Sequence, residues 1–186
     1  KPAQTECFRP ITKNKDLPGR VSGGLKRIRA IMGTSVPCQV VKDFYDALVS
    51  RDPLRVAAFL ADDVQWHMAG PVDIFHFCGY RRGKAAVVDY LTRLVPQVFA
   101  MRRFEPTELV IDGNRAGVFS KVSAVQKSTG RVITYHCAHF VVFQQDKVVS
   151  IQGVADTFDV VEQLVGYRID PYQESQAASA SDIVTI

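Results

Sequence analysis

No apolar run in this sequence approaches the ~20 residues that a membrane-spanning helix needs. A Gly-rich phosphate loop, a serine nucleophile elbow and a Cys–His pair in supporting context are missing too, which removes the sequence signatures of several common catalytic classes. The 4 cysteines, Cys7, Cys38, Cys78 and Cys137, form no C-x-x-C pair. Structural zinc needs tightly spaced ligand pairs, so it is not expected here. A chain of 186 residues that is 47% hydrophobic has no need of a disulfide framework either. The cysteines therefore read as reduced thiols of a cytoplasmic protein. With 23% charged and 10% aromatic residues, the composition is that of one globular domain with extensions.

Basic charge is scarce wherever the chain looks folded. Residues 1–31 hold 8 Lys/Arg against 2 Asp/Glu, while the remaining 155 hold 15 against 17. The formal charge of +4 thus belongs to an N-terminal arm, and a basic body that reads nucleic acid is disfavoured. The arm, residues 1–34, carries Pro2, Pro10, Pro18 and Gly23-Gly24 and is expected to be flexible, with one short amphipathic turn at Leu25, Ile28 and Ile31. It lacks the continuous apolar stretch of a secretory signal. Met32 is expected to be the natural start, a transit peptide being the alternative. Residues 35–168 read as the domain and 169–186 as a loose tail rich in Ser, Ala and Gln.

Ser35 is placed to cap a first helix whose inward residues are Val40, Val41, Phe44, Tyr45 and Leu48. Asp52-Pro53 is a second cap-plus-proline start, with Leu54, Ala57, Ala58 and Leu60 inward. Val64 to Met68 alternates with period two, which puts Val64, Trp66 and Met68 on one face of a strand. An apolar loop from Gly70 to Gly79 follows, and then a third helix from Lys84 to Phe99. From Phe104 to Thr157 the pattern is strand, broken by turns at Asp112-Gly113-Asn114, Ser128-Thr129-Gly130 and Gln145-Asp146-Lys147. A short helix, Val160 to Val165, closes the body. Helices first and antiparallel strands last make an α+β fold.

The order Phe44-Tyr45-x-Ala47-Leu48-x5-Leu54, then Phe59 to Val64 and Trp66, resembles the opening of nuclear-transport-factor-2-like proteins, in particular their SnoaL-like group. Cys78-Gly79-x2-Arg82-Gly83-Lys84 resembles that group's link into helix three. Ala138-His139-Phe140-x2-Phe143-x3-Lys147-Val148-Val149 and Ala155-Asp156-Thr157 resemble its last strands. The likeness spans residues 36–166. It implies a cone-shaped roll in which a curved antiparallel sheet wraps the N-terminal helices around an enclosed apolar pocket. It also implies a homodimer paired through the sheet. Relatives resembling ketosteroid isomerase place an oxyanion-stabilising acid where His139 stands and a tyrosine where Tyr45 stands; their base would fall near His67 or Met68, where this chain has no carboxylate.

Two histidines three apart, His136 and His139, face opposite ways on a strand, so no metal site is expected. His139 shares its face with Tyr135, Cys137, Val141 and Phe143 and is expected in the core or pocket. Asp156 is either a pocket acid–base group, its pKa raised by burial beside aromatic rings, or the N-cap of the final helix. Gln152 has the strand parity of Asp156, and Gly153 between them is a candidate bulge. Trp66, Met68, Phe75 and Phe99 are the expected walls, because small-molecule sites are apolar with a few polar groups. Arg81-Arg82 and Arg102-Arg103 read as a solvated rim or an attraction for an acidic substrate. Together these residues predict a cofactor-independent acid–base protein for a small hydrophobic molecule, with Asp156, His139 and Tyr45 catalytic. Isomerisation, cyclisation, dehydration and epoxide hydrolysis all fit, and a non-catalytic binding or dimerisation module is the alternative.

Overall fold

The computed structural model describes residues 35–170. The expected arm and most of the expected tail lie outside them. The elements run α1 (Cys38–Ser50), α2 (Pro53–Phe59), β1 (Leu60–Met68), β2 (Gly79–Arg82), α3 (Lys84–Asp89), a π turn (Tyr90–Leu94), α4 (Val95–Val98), β3 (Phe99–Asp112), β4 (Arg115–Gln126), β5 (Val132–Gln144), β6 (Lys147–Ala155) and α5 (Thr157–Val165). The fold is α+β. Its 6 strands form one curved, unclosed sheet in the order β2-β1-β6-β5-β4-β3.

The sheet is mixed and not wholly antiparallel, because β6 lies parallel to β1. The topology forces this. Three consecutive reversals from β3 to β6 return the chain to the sheet's centre, and β6 fills the place beside β1 in the same direction. Strand β2, inside the segment read as a helix link, pairs with β1 over Gln65↔Arg82 to Met68↔Gly79. Four residues that begin at one glycine and end before another carry too short a pattern to announce a strand.

The helices start and stop for local reasons. Asp52 Oδ1 accepts from the backbone N–H groups of Leu54 and Arg55 at 2.8 and 3.2 Å, as the cap-plus-proline signal predicts. Ser35 does not cap α1. The Val36 N–H is tied to the Gly113 carbonyl at 2.9 Å, so this segment stays extended and the N-cap falls at Pro37. Leu54, expected inward, is exposed, and Val56 takes its place in the core. The third helix is not continuous. Pro96 has no N–H to return, and the turn before it widens, with the Val95 N–H reaching the Tyr90 carbonyl five residues back. Tyr90 and Leu91 are thereby both buried.

Val41, Phe44 and Tyr45 of α1 and Val56 of α2 pack with Leu60, Val64, Trp66, Val118, Val141, Phe143 and Ile151 on the inner face of the sheet. Each fully buried side chain of this size contributes about 1.5–3 kcal/mol. A second cluster, Phe75, Cys78, Phe99, Ala124, Ile133 and Val160, closes the end nearer α5. Cys78 and Cys137 are buried free thiols, but Cys38 is disulfide-bonded, which corrects the expectation of four reduced cysteines. Among the described residues no helix is long and apolar enough to cross a membrane.

Candidate functional site

Between the helices and the inner face of the sheet lies a cavity of about 100 Å³. Period-two alternation on β5 turns Tyr135, Cys137 and His139 toward it, and the same alternation on β1 presents Trp66 and Met68. The π turn supplies Tyr90, β3 supplies Phe99 and Met101, and the loop before β2 supplies Phe77.

His139 is buried, and its Nδ1 lies 3.2 Å from the hydroxyl of Tyr45 on α1. The two rings are nearly parallel at 5.9 Å, and Tyr45 also stacks on Phe104 at 5.5 Å. Burial pushes the His139 pKa down to about 4, so the imidazole is neutral near pH 7. Burial, reinforced by the Cys137 thiol, holds the Tyr45 phenol well above its ordinary pKa, so it keeps its proton. Tyr45 does not line the cavity, and Nδ1 is the acceptor its O–H meets among the described residues. Tyr45 therefore donates to Nδ1, and the ring's own proton sits on Nε2.

His139 and Met68 lie directly over Gly153: a Cβ there would meet Met68 Sδ at less than van der Waals distance and His139 Nε2 at 3.3 Å. Gly153 is thus small because the floor of the cavity rests on it, and the irregularity expected there lies instead between Val142 and Phe143. A second donor is nearby. Trp66 Nε1 is buried, and its N–H is directed at the Tyr90 hydroxyl, an interaction that lowers the Tyr90 pKa although its geometry falls short of a well-formed hydrogen bond. Burial raises the Tyr90 pKa to about 12 and that of Cys137 to about 12, and lifts Tyr135 as well. The Arg81 guanidinium sits 4.3 Å from the Tyr90 ring centroid and donates to the carbonyls of His76, Cys78 and Gly79, so it is no free rim charge.

His139, Trp66, Met68 and Phe99 are brought together on the cavity wall, with Tyr45 immediately behind His139. Three residues fall elsewhere. Phe75 is buried against Phe77, which lines the cavity in its place. Gln152 is exposed on the outer face of the sheet, because Ile151 and Gly153 are the inward residues of β6. The parity argument took Asp156 as its reference, and Asp156 lies past the strand's end. Asp156 is exposed and caps α5, its Oδ1 accepting from the Asp159 N–H at 3.1 Å. Of the two roles weighed for it, the geometry supplies the cap. His136 faces outward, stacked on Phe119 at 5.4 Å.

Sequence reasoning missed Tyr90 and Arg51, whereas Phe77 was among the aromatic residues from which the pocket walls were expected. Tyr90 turns inward only because the helix widens. Arg51 follows a helix end, where charge reads as solvated. Its guanidinium instead donates to the Leu91 carbonyl at 2.7 Å. Arg51 is also the C-cap of α1, with φ 58° in the left-handed region that favours glycine, at a cost of about 1 kcal/mol.

Comparison with known proteins extends over most of the described chain. The family model of the SnoaL-like domain matches residues 41–151. A candidate isomerase of Rhodopseudomonas palustris is 29% identical, with a TM-score of 0.64 over 68% of this chain and 96% of that one. A nuclear-transport-factor-2-like protein of Burkholderia xenovorans is 28% identical, with a TM-score of 0.59 over 67% and 92%. An LEH-like epoxide hydrolase of Mycobacterium tuberculosis shares the fold at 16% identity, with a TM-score of 0.56 over 69% and 88%. No curated protein matches the sequence.

Proposed function

This chain belongs to the SnoaL-like domain family, and on that premise we propose that its cavity takes a small, largely apolar molecule and polarises a carbonyl oxygen on it through His139. The observation that carries this is the buried Tyr45–His139 pair at the cavity wall, with 3.2 Å between Oη and Nδ1. Tyr45 is the positioning residue, and His139 Nε2–H is the donor that meets the ligand. Trp66 Nε1–H supplies a second donor on the same wall. Preorganised donors in a dry site strengthen as negative charge grows on the oxygen, and each is worth roughly 2–4 kcal/mol in a transition state.

Such activation suits isomerisation or cyclisation through an enolate, and the isomerase name of the Rhodopseudomonas relative accords with it. A proton acceptor at the carbon is the further requirement, and Asp156 is engaged at the α5 cap. Carbonyl binding and polarisation is therefore the core of the proposal, with turnover added only when the ligand reaches a base. A homodimer through the outer sheet face belongs to the same proposal, supported by the exposed Val110, Phe119, Phe140 and Val154 on that face.

Acetophenone serves as the test ligand. Bound to the protein, its carbonyl stretch is expected to shift to lower frequency than in an apolar solvent. The shift should shrink with His139→Leu and fall part of the way with Tyr45→Phe. A bound carbonyl with the frequency of an alkane solution, or an unchanged shift in the His139 variant, overturns the proposal.

A further inference from the structure

Arg51 joins two spaces. It lines the inner cavity, and it lines an outer groove of about 410 Å³ shared with Phe99, Met101, Arg102, Arg103 and Lys127. Among the described residues no carboxylate meets its guanidinium. One Nη donates to the Leu91 carbonyl at 2.7 Å, and the other reaches the Met101 thioether at 3.7 Å, a weak acceptor. Two features of this residue are unfavourable to folding: a partly desolvated cation without a counter-charge, and a non-glycine residue held at φ 58°. Arg103 is paired with Glu105 at 2.6 Å, which leaves Arg51, Arg102 and Lys127 to set the sign of the groove.

We propose that the ligand of the pocket is a hydrophobic carboxylate, its anionic group bound by Arg51 where the cavity opens into this groove, and its carbonyl directed inward to His139. The inference rests on the carbonyl-binding reading of the same cavity. With one strong contact, to the Leu91 carbonyl, and one weak one, to the Met101 thioether, the guanidinium keeps N–H groups for a better acceptor, and its planar fork matches a carboxylate with two parallel hydrogen bonds. Arg102 and Lys127 would draw such an anion toward the opening, and the aromatic and thioether side chains of Phe99 and Met101 would cover its apolar body.

The test compares 4-acetylbenzoate with acetophenone, which differ by the carboxylate alone, in calorimetric titrations at low and high salt. The wild-type protein is expected to bind 4-acetylbenzoate about tenfold more tightly or better, as one charge-assisted pair provides. That preference should weaken with salt, fall to about parity in Arg51→Gln, and survive in part in Arg51→Lys, which keeps the charge but not the fork. Because the readout is a ratio between two ligands within one protein, a general loss of stability does not imitate it. Binding of acetophenone with no preference for the acid overturns this inference and leaves the carbonyl pocket standing. A preference undiminished in Arg51→Gln also overturns it and transfers the role to the groove lysine and arginine. Binding of neither compound removes both the inference and the pocket on which it rests.

Discussion

His139 is held neutral by its surroundings, and this gives the protein a stability signature. Its pKa is lowered from 6.5 to about 4 by burial, so between those values the unfolded chain binds a proton that the folded chain does not. Stability therefore rises with pH through that window, is unaffected by this group above about pH 7, and is lower by about 2 kcal/mol at pH 5. Chemical denaturation at a series of pH values should show this slope in the wild-type protein and lose it in His139→Leu. Imidazole nitrogen shifts in NMR spectra should show the ring neutral, with the proton on Nε2, at pH 6. An imidazole that titrates near 6.5, or a slope retained in the variant, would remove the buried-donor account. His139 was legible from strand parity alone, because period two is robust along an uninterrupted strand. Its partner Tyr45 came from the family likeness, since a tyrosine on an amphipathic helix carries no sign of what its hydroxyl meets.

At the scale of elements, the two acidic caps separate structure from chemistry. Asp52 and Asp156 each accept from backbone N–H groups at the first turn of a helix. Asp156→Ala is expected to lower stability by about 1 kcal/mol, and Asp156→Asn, which keeps a side-chain acceptor, by much less. Neither should change affinity for acetophenone, because Asp156 is exposed and outside the cavity wall. Urea denaturation together with the binding titration checks both halves. A loss of affinity in the asparagine variant at unchanged stability would return Asp156 to the site. Elements with many residues in one period, such as α1, β4 and β5, were readable with small boundary errors. The short ones were not. Four residues of β2 carry no usable period, and the π turn before Pro96 changes the phase on which the third helix was read.

Over the whole molecule, one face of the sheet is covered by helices and the other leaves Phe140 62% and Val110 55% exposed. A concavity of about 720 Å³ lies on that outer face, lined by Phe119, Phe140 and Gln152 among others. Light scattering after size exclusion should give twice the 20.7 kDa chain mass for the wild-type protein and the single-chain mass for Phe140→Glu, which places a charge in the apolar face. A wild-type protein that runs as one chain would end the dimer proposal. Periodicity, turn residues and the order of motifs were enough to specify the α+β architecture, the strands from β3 to β6, the family likeness and the inward direction of His139 and Trp66, since each depends on neighbours close in the chain. Pairing of β6 with β1, closure of the cavity around Tyr90 and Phe77, the outward turn of Gln152 and the place of Arg51 on both the cavity and the groove were decided only in three dimensions. Each depends on groups far apart in sequence, and the register and packing that bring them together leave no local trace.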